Sequence, residues 1–135
     1  MDIEKTFEIP FAPGEVYAAW VSPDTVIPPA SAMDIDPVVG GRYRLTARGD
    51  GFEAQNEGEF LEVEDGRHLR YTWEWNKDGR VTEVEVDFEP TDSGTRLTLA
   101  HRGFDDQASF DNHDSGWDSY LKGLVEFMGT AGASR

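Results

Sequence analysis

At 135 residues the chain can bury a core without a metal or disulfide staple and falls within the usual size of one unit, so residues 1–135 are expected to form a single domain. It has no cysteine, which excludes disulfides, thiolate catalysis, Cys-based zinc sites and iron–sulfur ligation. A formal net charge of -15 and a pI near 4.3 exclude nucleic acid and anionic lipid as natural partners, because polyanion binding relies on Lys and Arg displacing counterions.

The opening Met1-Asp2-Ile3-Glu4-Lys5 has neither the basic segment nor the apolar run of a signal peptide, and no later stretch is long enough to span a bilayer. A cytoplasmic protein with no membrane insertion is the expectation. Ile3, Phe7 and Ile9 alternate with Glu4, Thr6 and Glu8, the period-two pattern of a strand with one buried face, which Pro10 ends. Ala12-Pro13-Gly14-Glu15 then starts a short helix with proline in its first turn. Val16, Ala19 and Trp20 recur at helical spacing until Ser22-Pro23. From Ser22 to Ser31 three prolines predict a stiff loop.

From Met33 onward, turn sequences such as Gly40-Gly41, Asp65-Gly66 and Asp92-Ser93-Gly94 punctuate a meander. Its strands read Met33 to Val38, Arg42 to Ala47, Glu53 to Val63, His68 to Trp75, Arg80 to Glu89 and Thr95 to Arg102. Tyr43, Leu45 and Ala47, then Leu69, Tyr71, Trp73 and Trp75, and then Leu97, Leu99 and His101 share an apolar parity, so one face of the sheet meets a buried partner and the other meets solvent. Gly58 inside the long strand suggests a bulge or bend. After Phe104 the chain reads as a polar loop through Asp114. Trp117, Tyr120, Leu121, Leu124, Val125 and Met128 then predict an amphipathic helix of about four turns, with Asp114 or Ser115 as N-cap and Gly129 and Gly132 near its end.

Together these elements describe an α+β fold in which a curved antiparallel sheet of about seven strands grips a long C-terminal helix. The run from Ile9-Pro10-Phe11-Ala12-Pro13 to Trp20, the segment Asp36-Pro37-Val38-Val39-Gly40-Gly41-Arg42-Tyr43, the strand Gly94-Thr95-Arg96-Leu97-Thr98-Leu99 with His101 and Gly103-Phe104, and His113 with Gly116-Trp117 resemble the family named for the activator of heat-shock-protein-90 ATPase. That family lies within the SRPBCC, START and Bet v 1-like superfamily of helix-grip proteins. The resemblance implies a cavity between the inner sheet face and the last helix. It names no one activity, since members carry hydrophobic molecules, cyclise polyketides or assist chaperones. Val26-Ile27-Pro28-Pro29 stands where relatives usually place an aromatic residue, which implies a changed cavity entrance.

The candidate ligand-binding residues are Trp20, Tyr43, Phe60, Tyr71, Trp73, His101, Trp117, Leu121 and Leu124, an inward set that is mostly aromatic and suited to a small apolar or aromatic molecule. The alternative for each is plain core filling. His101 is also the one candidate general base, for a cyclase- or hydrolase-like enzyme with Tyr71 nearby. Asp34, Asp36, Glu57 and Glu59 are read as solvated surface charges, with Arg42 and Arg44 pairing such acids across strands. His113 is read as a residue of the helix start that could approach His101. No HExxH, GxSxG, Walker or GxGxxG pattern is present, so neither metal nor cofactor is expected. A chaperone partner, in a co-chaperone or stress-response module, and a homodimer are the remaining partner expectations.

Overall fold

The computed structural model describes residues 1–25, 27, 30–49 and 51–133. Strand β1 (Ile3–Ile9) leads into helix α1 (Pro13–Trp20). Six strands follow, β2 (Ala30–Ile35), β3 (Arg42–Gly49), β4 (Phe52–Glu64), β5 (His68–Trp75), β6 (Thr82–Thr91) and β7 (Gly94–Arg102), and helix α2 (Gln107–Ala133) ends the chain. The strands form one antiparallel sheet in the order β1-β7-β6-β5-β4-β3-β2. The meander thus runs in sequence from the β2 edge to β7, and β1 pairs beside β7 as the other edge.

One face of the sheet is apolar. Leu69, Val84, Val86, Leu97 and Leu99 are fully buried there and pack with Val16 and Trp20 of α1 and with Trp117, Leu121 and Leu124 of α2. Leu121 and Leu124 lie four and seven residues after Trp117, so all three project from one helix face onto the sheet. On the opposite sheet face Arg42 meets Glu59, Arg44 meets Glu57 and Arg48 meets Glu53 as registered cross-strand ion pairs. These arginine pairings follow the sequence reading. Glu57 does not, because it is only 8 % exposed, its carboxylate covered by Arg44 and Lys77. Asp34, Asp36 and Glu59 are exposed.

Several boundaries differ from the expectation: β2 ends at Ile35 rather than Val38, and β6 runs Thr82–Thr91 rather than Arg80 to Glu89. β2 begins at Ala30, inside the segment read as a stiff loop, because it pairs with the far end of β3 through Ala47. Helix α2 begins at Gln107 rather than near Ser115. Asp106 Oδ1 accepts the backbone N–H groups of Ala108 and Ser109, at 2.9 and 3.5 Å, and is the N-terminal cap. The polar stretch after it is helical because its few large side chains are anchored. Phe110 packs edge-on against Phe104, and His113 packs among the tryptophans of β5.

The bend in β4 arises in two steps. The register slips between Phe60 and Glu62, so the bulge falls at Leu61 and not at Gly58. Gly58 instead permits a close approach, since a Cβ there would stand 1.9 Å from the carbonyl oxygen of Thr72. Tyr43, its register partner on β3, donates its hydroxyl to that same carbonyl at 2.8 Å. The Glu59 N–H is taken by the Thr72 hydroxyl at 2.9 Å. The glycine lets the sheet fold sharply enough to face α2 with a concave surface.

Candidate functional site

Inside that concavity, between β2–β5 and the middle of α2, lies an apolar cavity of about 60 Å³. A buried space holds one water once it offers roughly 10–15 Å³ to the probe, so this one has room for a single ring or a short chain and for nothing of drug size. Trp20, Trp73 and Trp117 form its indole walls, and Tyr43, Phe60 and Tyr71 line it from the sheet. Those six are the sequence candidates that the fold brings together around the space. Met33 and Ile35 on β2, Leu45 on β3 and Tyr120 on α2 complete the apolar lining, and Asn56 on β4 adds an amide. No side chain in this lining carries a charge.

The rings are held by one another. Trp20 stacks on Trp117 with centroids 6.0 Å apart and planes 9° from parallel, while Tyr120 meets both edge-on. The Trp20 indole N–H donates to the Tyr71 hydroxyl at 3.2 Å, which ties α1 to β5 across the cavity wall. Burial pushes the Tyr43, Tyr71 and Tyr120 hydroxyls above their ordinary pKa, so all three remain neutral across the working pH range.

His101, Leu121 and Leu124 stand outside the lining. The two leucines are core residues of α2, with side chains buried against the sheet. His101 lies behind Trp73 and Trp117 and is completely buried. Its Nδ1 accepts the Trp117 indole N–H at 3.0 Å, which places its own proton on Nε2, 2.7 Å from the Thr82 hydroxyl. That hydroxyl passes its hydrogen to the Trp73 carbonyl at 3.3 Å. Every donor and acceptor of the ring is used. Burial, reinforced by the neighbouring His113, lowers its pKa to about 3. His113 is placed 5.2 Å from His101, ring to ring. Its Nδ1 donates to the Ser109 carbonyl at 2.7 Å, and its Nε2 accepts the indole N–H groups of both Trp73 and Trp75 at 3.1 Å. The two histidines and three tryptophans thus form a closed polar seam between β5, β7 and α2.

Asn56 is the functional candidate that sequence reasoning missed. It is 0 % exposed, its Nδ2 reaches the Glu74 carbonyl at 3.4 Å, and its Oδ1 meets no partner among the described residues. A signal was present, because Asn56 shares its inward parity with Gly58 and Phe60 and is the one amide on that parity of β4. Val26, Pro28 and Pro29, on which the expected change at the cavity entrance rests, lie outside the described residues.

On the outer sheet face Glu62, His68 and Glu85 bring potential ligand atoms within 4.8 Å of one another. The ring of His68 is already committed, with Nδ1 at 2.7 Å from Asp87 and Nε2 at 2.8 Å from Glu62. Arg70 pairs with Glu62 and Glu83, and Arg102 pairs with Glu85. The group is an internally compensated charge network. Burial alone would lower the His68 pKa, but its hydrogen bonds to Glu62 and Asp87 and the nearby charges of Asp87 and Glu85 outweigh that and raise it.

The family model described as Activator of Hsp90 ATPase homolog 1-like protein matches residues 10–129, which spans α1, strands β2 to β7 and most of α2. The chain belongs to this family. Proteins of solved structure share its architecture. Protein MLL2253 from Mesorhizobium loti superposes with a TM-score of 0.83 at 23% identity, over 96% of this chain and 98% of that one. The AHSA1-like protein from Aeromonas hydrophila gives 0.80 at 23% identity, over 98% and 94%. Ara h 8.0201 gives 0.75 at 14% identity, over 96% and 98%, which extends the likeness to the Bet v 1-like fold. At such identities the likeness concerns the fold. No curated protein matches the sequence. Among the described residues no helix of this family member is long and apolar enough to cross a membrane.

Proposed function

We propose that the protein binds a small apolar or aromatic molecule in the cavity between the sheet and α2. The observation that carries this reading is the uncharged, indole-walled space of about 60 Å³ between the bent sheet and α2. Deeper in the core Leu69, Leu97, Leu99 and Leu124 are fully buried. A ligand of one ring would complete the packing and gain area burial from Trp20, Trp73 and Trp117. Membership of a family within a fold that commonly encloses hydrophobic molecules supports the same reading.

Catalysis by His101 has less support, because the ring's one lone pair is occupied by Trp117 and its proton by Thr82. A chaperone partner or a homodimer would call for an apolar outer face, and the large hydrophobic side chains exposed among the described residues are Met1, Val38, Val39 and Val81. The test is a thermal-shift titration with one-ring aromatics and short-chain alcohols. A ligand specific to the folded state raises the melting temperature with concentration, and indole fluorescence from the cavity wall changes in parallel. A melting temperature unmoved by every compound, with fluorescence unchanged, would refute the proposal.

A further inference from the structure

We propose that the ligand of this cavity carries an uncharged hydrogen-bond donor, a hydroxyl or N–H group, that is accepted by Oδ1 of Asn56. The inference rests on the cavity-binding reading above and specifies the chemistry the site would select. Asn56 is wholly buried, and its amide is oriented by the Glu74 carbonyl, which can only be met by Nδ2. The oxygen end is therefore fixed, and it has no protein donor among the described residues.

Native interiors seldom strand a carbonyl oxygen, because burying it unpaired forfeits its hydration without return. A leucine at this position would pack the same wall at no such cost. The amide makes physical sense if a guest, or a water in the guest's absence, supplies the missing donor. Two of the three hydroxyls in the wall have protein partners, and that of Tyr120 has none among the described residues. The Tyr43 hydroxyl is donated to Thr72, and the Tyr71 hydroxyl accepts from Trp20. A charged guest is disfavoured, since the lining holds neither a cation nor a carboxylate to pair it. The volume restricts the guest to about one ring or a short chain. The class is thus the neutral phenols, small alcohols and N–H heterocycles.

The experiment compares phenol, anisole and benzoate on the wild-type protein and on Asn56→Leu, with binding followed by chemical-shift titration of the indole and Asn side-chain N–H signals. Phenol and anisole present the same ring, but only phenol has a donor. Phenol is expected to bind the wild type about tenfold more tightly than anisole, with benzoate weaker than both. Asn56→Leu is expected to abolish the preference, bringing phenol and anisole to the same affinity. Equal affinity for phenol and anisole on the wild type would overturn the inference and leave the cavity reading standing. The same holds for a phenol preference that survives in Asn56→Leu. Absence of binding by both neutral probes would overturn the inference together with the cavity reading. The wild-type comparison decides the matter by itself should the variant fold poorly.

Discussion

Gly58→Ala tests whether the bend in β4 is a required feature of this sheet. An added Cβ would stand 1.9 Å from the Thr72 carbonyl oxygen and 2.6 Å from its carbon, where ordinary contact begins at 3.4 Å. Both atoms are backbone, so β4 and β5 must part by about 1.5 Å at this point, the difference between the two contact distances. That displacement breaks the hydrogen bond from Tyr43 to Thr72 and the one from Glu59 N–H to the Thr72 hydroxyl. Each contributes about 1 kcal/mol net. Loosening of the Tyr43, Phe60 and Tyr71 ring contacts adds ~1 kcal/mol more. The sum is roughly 3 kcal/mol, which for a chain of this size lowers the melting temperature by roughly 10 °C. Gly116→Ala is the control, because a Cβ there meets nothing within 4 Å and the position is inside α2. It should raise stability by up to ~1 kcal/mol through helix propensity. Calorimetric melting of both variants checks the pair. A Gly58→Ala melting temperature within about 2 °C of wild type, against that ~10 °C expectation, would show the reasoning about the close approach to be wrong.

The half-buried His68 and the buried His101 should titrate on opposite sides of the ordinary value. His101 has a folded pKa of about 3 against an ordinary 6.5, so the unfolded chain takes up the proton first on acidification. Its contribution is complete above about 6.5 and is lost as pH falls toward about 3. His68 has its pKa raised, so its contribution is present below 6.5 and lost as pH rises through the folded value. Imidazole resonances followed by NMR should stay fixed for His101 between pH 8 and 5 and show a midpoint above 6.5 for His68; titration of His101 near 6.5 would contradict its burial in the neutral form. Trp117→Phe removes the donor to His101 Nδ1 and leaves that nitrogen buried and unpaired, which should cost about 2 kcal/mol in urea unfolding. A change below about 0.5 kcal/mol would mean that another donor replaces the indole.

The element order and the inward face could be read from the sequence because both depend on local pattern. The alternation Leu69, Tyr71, Trp73 sets one face of a strand wherever that strand lies, and the glycine-bearing turns leave a meander little choice of neighbours. The helix start was legible only in part. Phe110, His113 and Trp117 have helical spacing, yet the surrounding polar residues masked it until Phe104, Trp73 and Trp75 supplied their contacts. Likewise Gly58 announced an irregularity, but whether it was a bulge or a close approach depended on where Thr72 of the next strand arrived.

The alternating pattern alone therefore settled which side chains face inward, since that follows from the pleat of each strand and the pitch of each helix. It could not settle what those side chains meet. The neutral form of His101 is set by an indole from α2 and a hydroxyl from β6, and the stranded oxygen of Asn56 arises because its amide nitrogen finds Glu74 while nothing among the described residues reaches the other end. Hydrogen bonds between residues far apart in sequence exist only once the chain has closed around its core, so the chemistry of the cavity was decided by the tertiary structure.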